Sequence, residues 1–144
     1  MKFTCTKTNF NNGINIALKA VPGKTTMPIL ECVVIEAKGD MVKLTTNDMQ
    51  LGIETKIPAE IEQDGIILVN AKMISEIVRR LPDDDVNFEV DENNNILLFC
   101  GKSKFNIPGI PHDEFPMLPK IEADKTIHIS QFTLKEMIRQ TIFS

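Results

Sequence analysis

Hydrophobic and polar residues alternate along most of this chain in short segments, while two longer segments repeat their hydrophobic residues at helical spacing. The alternating segments are rich in β-branched residues and are separated by turn sequences such as Lys38-Gly39-Asp40 and Asn93-Asn94-Asn95, which indicates antiparallel strands. The predicted strands are residues 2–6, 29–36, 41–46, 51–57, 66–69, 86–90, 96–100 and 104–107.

The two segments with helical spacing follow the first and the fifth predicted strands. Thr6 or Thr8 is a candidate N-cap for the first helix, which is predicted to run to about Ala20, before Pro22-Gly23 stops it. The second helix is predicted to begin near Ala71 and to end at Leu81-Pro82. The predicted buried faces are Phe10, Ile14, Ala17, Leu18 and Val21 in the first helix, and Met73, Ile74, Ile77, Val78 and Leu81 in the second. The order β-α-β-β-β-β-α-β-β-β predicts an α+β fold, with two helices packed on antiparallel sheets.

The chain changes character from Pro108, and an internal repeat follows. Pro108, Pro111, Pro116 and Pro119 predict an irregular strap that leads into an interdomain linker. When residue 3 is set against residue 127, a strand pattern, a hydroxyl cap and a helical pattern recur, with Leu134, Ile138 and Ile142 in the places of Phe10, Ile14 and Leu18. We therefore expect a first domain at 1–120, a linker at 121–125 and, at 126–144, the start of a second domain. The chain is thus expected to be a fragment of a longer protein.

The composition excludes several classes of protein. Hydrophobic residues make up 42% and charged residues 25% of the 144 residues, as in globular proteins. No hydrophobic run is long enough to cross a bilayer, and the first ten residues lack the hydrophobic region of a secretory signal, so we expect a cytoplasmic protein without membrane contact. Cys5, Cys32 and Cys100 are widely spaced and odd in number. They argue against a disulfide framework or a zinc site and are interpreted as small buried hydrophobic residues.

Charge is distributed unevenly between the helices and the rest of the chain. Residues 7–24 carry three lysines and no acid, residues 70–80 have a net charge of +2, and residues 131–144 have a net charge of +1. Since the whole chain is at −4, everything outside the helical segments carries −10. The exposed helix faces are predicted to carry Asn11, Asn12, Asn15 and Lys19, and Lys72, Ser75, Glu76 and Arg79. Such faces can approach phosphates without reading bases, although Lys and Arg also commonly occupy solvated helix faces.

No motif predicts chemistry on a substrate. The run Asp83-Asp84-Asp85 follows Leu-Pro and is more typical of a solvated turn than of a metal site. His112 and His128 are isolated from partners at ligand spacing. We therefore expect no catalytic residue, no bound metal and no cofactor.

Several stretches, in order along the whole chain, resemble the bacterial sliding clamp family, the β subunits of DNA polymerase III. Each resembles a short segment that the family carries at the corresponding place. The segments are Met1-Lys2-Phe3-Thr4, Lys24-Thr25-Thr26-Met27-Pro28-Ile29-Leu30, Leu44-Thr45-Thr46-Asn47-Asp48, Leu81-Pro82, Gly101-Lys102-Ser103-Lys104-Phe105, Phe115-Pro116 and Phe143-Ser144.

The resemblance implies a clamp fold and a ring that encircles double-stranded DNA without sequence preference. Three such domains in a row form a protomer, and two protomers close head to tail into a homodimer with helices lining the hole. By this correspondence Lys24 contacts DNA, and Lys72, Arg79 and Arg80 face or flank the channel; the charge pattern adds Lys19. Partner polymerase and clamp loader bind later domains, which are absent here, so the fragment is not expected to close a ring.

Phe105 and Ile107 stand where the family places apolar interface residues on an edge strand. Both residues are equally consistent with ordinary core positions on an alternating strand, and the two interpretations stay open. Two other functions also stay open. A protein-interaction scaffold without DNA contact would show little salt dependence of any DNA association. A small enzyme completed by residues elsewhere would require convergent ionisable groups.

Overall fold

The structure is a computed structural model that describes residues 1–122 and 124–142. Within this part of the chain there are nine strands: β1 Lys2–Thr6, β2 Cys32–Lys38, β3 Met41–Asn47, β4 Gly52–Pro58, β5 Glu60–Gln63, β6 Gly65–Asn70, β7 Asp85–Val90, β8 Asn95–Cys100 and β9 Ser103–Pro108. The α-helices are α1 Lys7–Ala17, α2 Ala71–Arg80 and α3 Gln131–Ile142. Short 3-10 turns cover Leu18–Ala20 and Pro28–Glu31. No helix in these residues is both long enough and apolar enough to cross a membrane.

The strands form two antiparallel sheets. Sheet A has the order β5-β1-β7-β8-β9, and sheet B has the order β4-β3-β2-β6. Helices α1 and α2 contact each other and pack on the sheets, so that one hydrophobic core joins both sheets and both helices. The predicted α+β class is confirmed, and the arrangement leaves one side of each helix facing outward.

Two details of the predicted strands are wrong. Residues 29–31 belong to a 3-10 turn rather than to a strand, because Pro28 starts the turn and the Leu30 N–H donates to the Met27 carbonyl at 3.0 Å. Strand β5 was not predicted, since Ile61 is its single apolar residue. It forms because the edge of β1 accepts it, with Ile61 opposite Phe3. Strand formation at these places depends on a partner rather than on a local pattern.

The helix predictions are confirmed with one exception on the buried faces. Helix α1 is followed by a 3-10 turn that ends at Ala20, and α2 ends just before Leu81-Pro82. Met73 was predicted to be buried, but its side chain is 42% exposed. Met73 lies at the boundary between the buried and exposed faces of α2, next to β9, where the core ends.

The predicted repeat recurs in part. Ser130 caps α3 as Thr6 caps α1: the Thr133 N–H donates to Ser130 Oγ at 3.1 Å, and the Asn9 N–H donates to Thr6 Oγ1 at 3.2 Å. The two helices therefore begin 124 residues apart, in the register that the sequence predicted. The predicted strand at 127–130 is not formed, and none of the described α3 residues is buried. Phe143 and Ser144, which carry the last segment of the family resemblance, lie outside the described residues. The predicted domain boundaries remain a prediction.

The predicted strap is ordered across the outer face of sheet B. Phe115, which is 4% exposed, covers a small second cluster formed with Cys32, Val34 and Leu68. Thr45 belongs to the same face, because it is the cross-strand partner of Val34. Its side chain is 1% exposed, and its hydroxyl makes no hydrogen bond with the described residues. A buried hydroxyl without a partner lowers stability.

Thr45→Val should therefore raise the free energy of unfolding by about 1 kcal/mol, because the unpaired hydroxyl is replaced by a methyl group of similar size. Urea denaturation followed by circular dichroism measures this effect. The matched control is Thr46→Val, since the Thr46 hydroxyl donates to the Ala17 carbonyl at 2.6 Å and is equally buried. The control should lose roughly 1 kcal/mol. Equal changes in the free energy of unfolding for the two variants would contradict the assignment of Thr45 as a buried hydroxyl without a partner.

Candidate nucleic-acid interface

Helix α1 is held close to sheet B by a glycine and a buried hydrogen bond. A Cβ atom at Gly13 would lie 2.8 Å from the Ile57 side chain and 2.9 Å from the Leu44 side chain, so a larger residue would push the helix outward. At the end of α1, the Thr46 hydroxyl bonds to the Ala17 carbonyl. These contacts fix the helix by its buried face and position the 3-10 turn that carries Lys19.

Helix α2 is positioned by an equivalent cap and lies against α1. The Asn70 side chain accepts a hydrogen bond from the Met73 N–H at 2.9 Å, which satisfies one of the free amides of the first turn. Ala71, Ile74 and Val78 are buried in the core. The opposite face is therefore exposed alongside that of α1, and it carries Lys72, Glu76 and Arg79.

All five cations that the sequence singled out for DNA contact are exposed: Lys19, Lys24, Lys72, Arg79 and Arg80. Lys19 and Lys24 lie on the connection that leaves α1, and Lys72 and Arg79 lie on one face of α2, two turns apart. None of the five forms an ion pair within the described residues. Exposed cations that form no ion pair are available to an external anion, although Glu76 lies on the same face of α2 as Lys72 and Arg79.

Two cations on the sheets show the opposite arrangement. Lys43 Nζ lies 3.0 Å from a Glu36 carboxylate oxygen and 3.8 Å from one of Glu54, and Lys2 is paired with Glu62 in the same way. Hydrogen bonding to Glu36 raises the pKa of Lys43. These two sheet lysines are neutralised locally, in contrast to the five cations on α2 and on the connection after α1.

Arg80 occupies a different place from Lys72 and Arg79. It lies about 80° around the axis of α2 from Lys72. Together with Met73, Ile77 and Phe105 it lines a shallow cavity of about 130 Å³ between α2 and β9. Arg80 is therefore beside the edge of sheet A rather than at the centre of the exposed helix face.

Strand β9 is an edge of sheet A, as the sequence predicted, but its two apolar residues differ in how deeply they are buried. The side chain of Ile107 is 1% exposed and belongs to the core, as the core interpretation expects, while its assignment to an interface stays a prediction. Phe105 is half-buried, packs against the core and lines the cavity beside Arg80. The free edge of β9 can accept another strand through its backbone.

The described residues offer little to a metal or a nucleophilic reaction. No three His, Cys, Asp or Glu side chains in residues 1–122 and 124–142 lie close enough to hold a metal ion. All three thiols are buried, and burial raises the pKa of Cys5 to about 12. Burial also raises the pKa values of Cys32 and Cys100. These thiols are neutral near pH 7 and inert as nucleophiles.

The profile of a family described as the DNA polymerase III beta subunit, N-terminal domain, matches residues 1–119. The chain belongs to this family. A relative named beta sliding clamp, from Bacillus subtilis, is 40% identical over 152 aligned residues, which cover 100% of this chain and 40% of that protein. The chain thus spans about 40% of the length of the curated relatives it matches.

Solved structures of the DNA polymerase III beta family share the fold. A putative DNA polymerase III beta subunit from Eubacterium rectale is 53% identical, with a TM-score of 0.93, over 100% of this chain and 39% of that chain. The DNA polymerase sliding clamp of Bacillus subtilis is 39% identical, with a TM-score of 0.94, over 100% of this chain and 40% of that chain. The predicted clamp fold is confirmed.

Sequence reasoning missed two residues that hold the strap, Asn47 and Gly52. Asn47 Nδ2 donates to the Pro116 carbonyl at 2.8 Å, and a Cβ at Gly52 would overlap Leu118. In the sequence, Asn47 was noted only as part of the segment Leu44-Thr45-Thr46-Asn47-Asp48 that carries the family resemblance. The signal in the sequence was a polar residue at the end of an alternating strand. A polar side chain that is buried at such a position requires a hydrogen-bond partner.

Proposed function

We propose that this chain is the first domain, residues 1–120, with a linker at 121–125 and the start of a second domain at 126–144, of a sliding clamp. In this proposal the complete protein forms a ring around duplex DNA and tethers the replicative polymerase, with no chemistry of its own. The observation that carries the proposal is the set of exposed cations on α2 and on the connection after α1, which form no ion pair among the described residues, in a chain of the beta subunit family.

DNA contact in this proposal is electrostatic and independent of sequence. Lys19, Lys24, Lys72 and Arg79 approach phosphates through long side chains, and Arg80 flanks this face. The remainder of the chain, at −10, repels DNA and favours its approach to the helices. Each contact is weak and exchanges quickly, which allows sliding, while a closed ring prevents dissociation from the side.

Ring closure in this proposal uses the free edge of β9. Two copies of the complete protein join head to tail, with the half-buried ring of Phe105 packed across the junction and Ile107 contributing through its backbone. The replicative polymerase and the clamp loader bind the later domains. The protein acts in the cytoplasm, where bacterial chromosomes are replicated.

The proposal is tested by the topology of binding. The complete protein is loaded onto nicked circular DNA by its clamp loader, and the DNA is then cut once with a restriction enzyme. Nearly all bound protein should be released after the cut, because a ring held by topology slides off a free end. Gel filtration of labelled protein with and without the enzyme measures the bound fraction.

A sample of circular DNA without the restriction site, treated with the same enzyme, is the control and should keep its protein. Retention on the linear product to the same extent as on the circle would mean ordinary affinity binding. Encirclement would then be rejected, and an interaction scaffold would become the better interpretation.

A further inference from the structure

The strap, residues 109–119, crosses every strand of sheet B in turn. It begins at β6, where Ile110 and Leu68 exchange two backbone hydrogen bonds of 2.9 Å. Phe115 then packs over β2. Next, Asn47 of β3 donates to the Pro116 carbonyl, and Leu118 lies on Gly52 of β4. Because the sheet order is β4-β3-β2-β6, the strap runs from one edge of sheet B to the other.

The strap also connects two places that the proposed ring would use, the end of β9 and the point where the chain leaves the domain. At its start it continues directly from β9, and the Gly109 N–H donates to the Asn94 carbonyl at 2.9 Å, which ties this end to sheet A. At its end the chain leaves the domain beside β4. The strap is therefore the segment that connects the end of β9 with the exit point of the chain.

Asn47 and Gly52 form the seat of the strap, since they are direct cross-strand partners on the same face. The Asn47 side chain serves two purposes, because its Oδ1 also accepts from the Met49 N–H at 2.8 Å. Gly52 leaves the space that Leu118 fills. The pair thus holds two consecutive points of the strap by a hydrogen bond and by a steric fit.

We propose that the strap is a tie that sets the exit of the chain relative to the β9 edge, and that Asn47 and Gly52 are its positioning residues for ring closure. This inference rests on the proposed function. A rigid domain can be closed into a ring only when both of its junctions are held at fixed orientation. In this proposal Asn47 and Gly52 hold the place where the chain leaves the domain and, through the strap, support the edge at β9.

The test uses Gly52→Ala and Asn47→Asp in the complete protein. Alanine removes the space for Leu118, and aspartate keeps the acceptor for Met49 but removes the donor for Pro116. Asn47→Asp should shorten the half-life on closed circular DNA about tenfold, the factor that corresponds to one lost hydrogen bond. Gly52→Ala should shorten it in the same direction, because the Leu118 side chain must move. Hydrogen exchange should be faster at Ile110 and Phe115 and unchanged in α1 and α2.

The matched control is the double variant Gly52→Ala, Leu118→Ala, which restores the space and should recover a half-life within about threefold of the wild type. Faster exchange in the strap with an unchanged half-life in both single variants would overturn the inference and leave the strap as a cover for the core. If the wild type is itself not retained on circular DNA, the proposed function fails, and this inference fails with it.

Discussion

Alanine at Lys19, Lys24, Lys72 and Arg79 together should weaken binding of the complete protein to linear duplex DNA by roughly a hundredfold at low salt, because the variant lacks four of the cations proposed to contact phosphates. The slope of log K against log salt should become less negative by about 0.9 for each lost contact. Fluorescence anisotropy with short duplexes of two unrelated sequences, at several salt concentrations, measures both effects. The loss should be the same for the two sequences, since the proposed contacts are to phosphates rather than to bases.

The control for this prediction removes the same charge from the sheets and their turns. Lys38, Lys56, Lys102 and Lys104 are exposed and lie outside α1 and α2, so alanine at these four positions changes the net charge equally. This control should leave the salt slope within about one contact of the wild type. An equal loss in both sets would show that net charge matters and that the helix face does not.

Most of the fold could be predicted because local pattern and tertiary burial agree. In β7 and β8 the alternating apolar residues Val86, Phe88, Ile96 and Leu98 are all fully buried. The caps at Thr6 and Ser130 were also readable, because a hydroxyl at an N-cap acts within three residues. In these elements the local pattern agrees with the tertiary burial, and the sequence was therefore sufficient to predict them.

The rest could not be predicted because it depends on contacts distant in sequence. The hydrogen bond between Asn47 and the Pro116 carbonyl joins positions 69 residues apart. Strand β5 exists because β1 has a free edge, and its own residues give little local signal. The sequence therefore predicted a strap at the right place, but neither its path nor the residues that hold it.

The candidate site could likewise be predicted only in part from the sequence. Four of its five cations were chosen from the family resemblance and Lys19 from the charge pattern; all five are exposed, and their contact with DNA stays a prediction. The separation of Arg80 from Lys72 and Arg79 required the position of β9, since Phe105 lies beside Arg80 only in the folded domain. The burial of Ile107 could not be predicted for a similar reason. Successive side chains of a strand point to opposite faces of the sheet, so an alternating edge strand buries one face whether or not its edge also forms an interface.

Phe88→Ala should remove much of the stability of the domain, because Phe88 lies at the point where β1, β7 and α1 meet. Its ring stacks on Phe3 with centroids 4.8 Å apart and meets the edge of Phe10 at 6.2 Å. All three rings are fully buried. Alanine leaves a cavity and removes two ring contacts, which should cost about 3–5 kcal/mol. Urea denaturation of this chain, followed by far-ultraviolet circular dichroism, measures the change.

The control is Phe99→Ala on the neighbouring strand β8. Phe99 points to the outer face of sheet A, is half-buried and has Lys104 Nζ 5.3 Å from its ring centroid. Its loss should cost about 1 kcal/mol, since little apolar surface returns to water. Because natural domains are stable by roughly 5–15 kcal/mol, Phe88→Ala should also loosen α1 and disturb the helix face proposed for DNA. Equal costs for the two variants would contradict the assignment of the core, because the same residue type would then be equally important on both faces of one sheet.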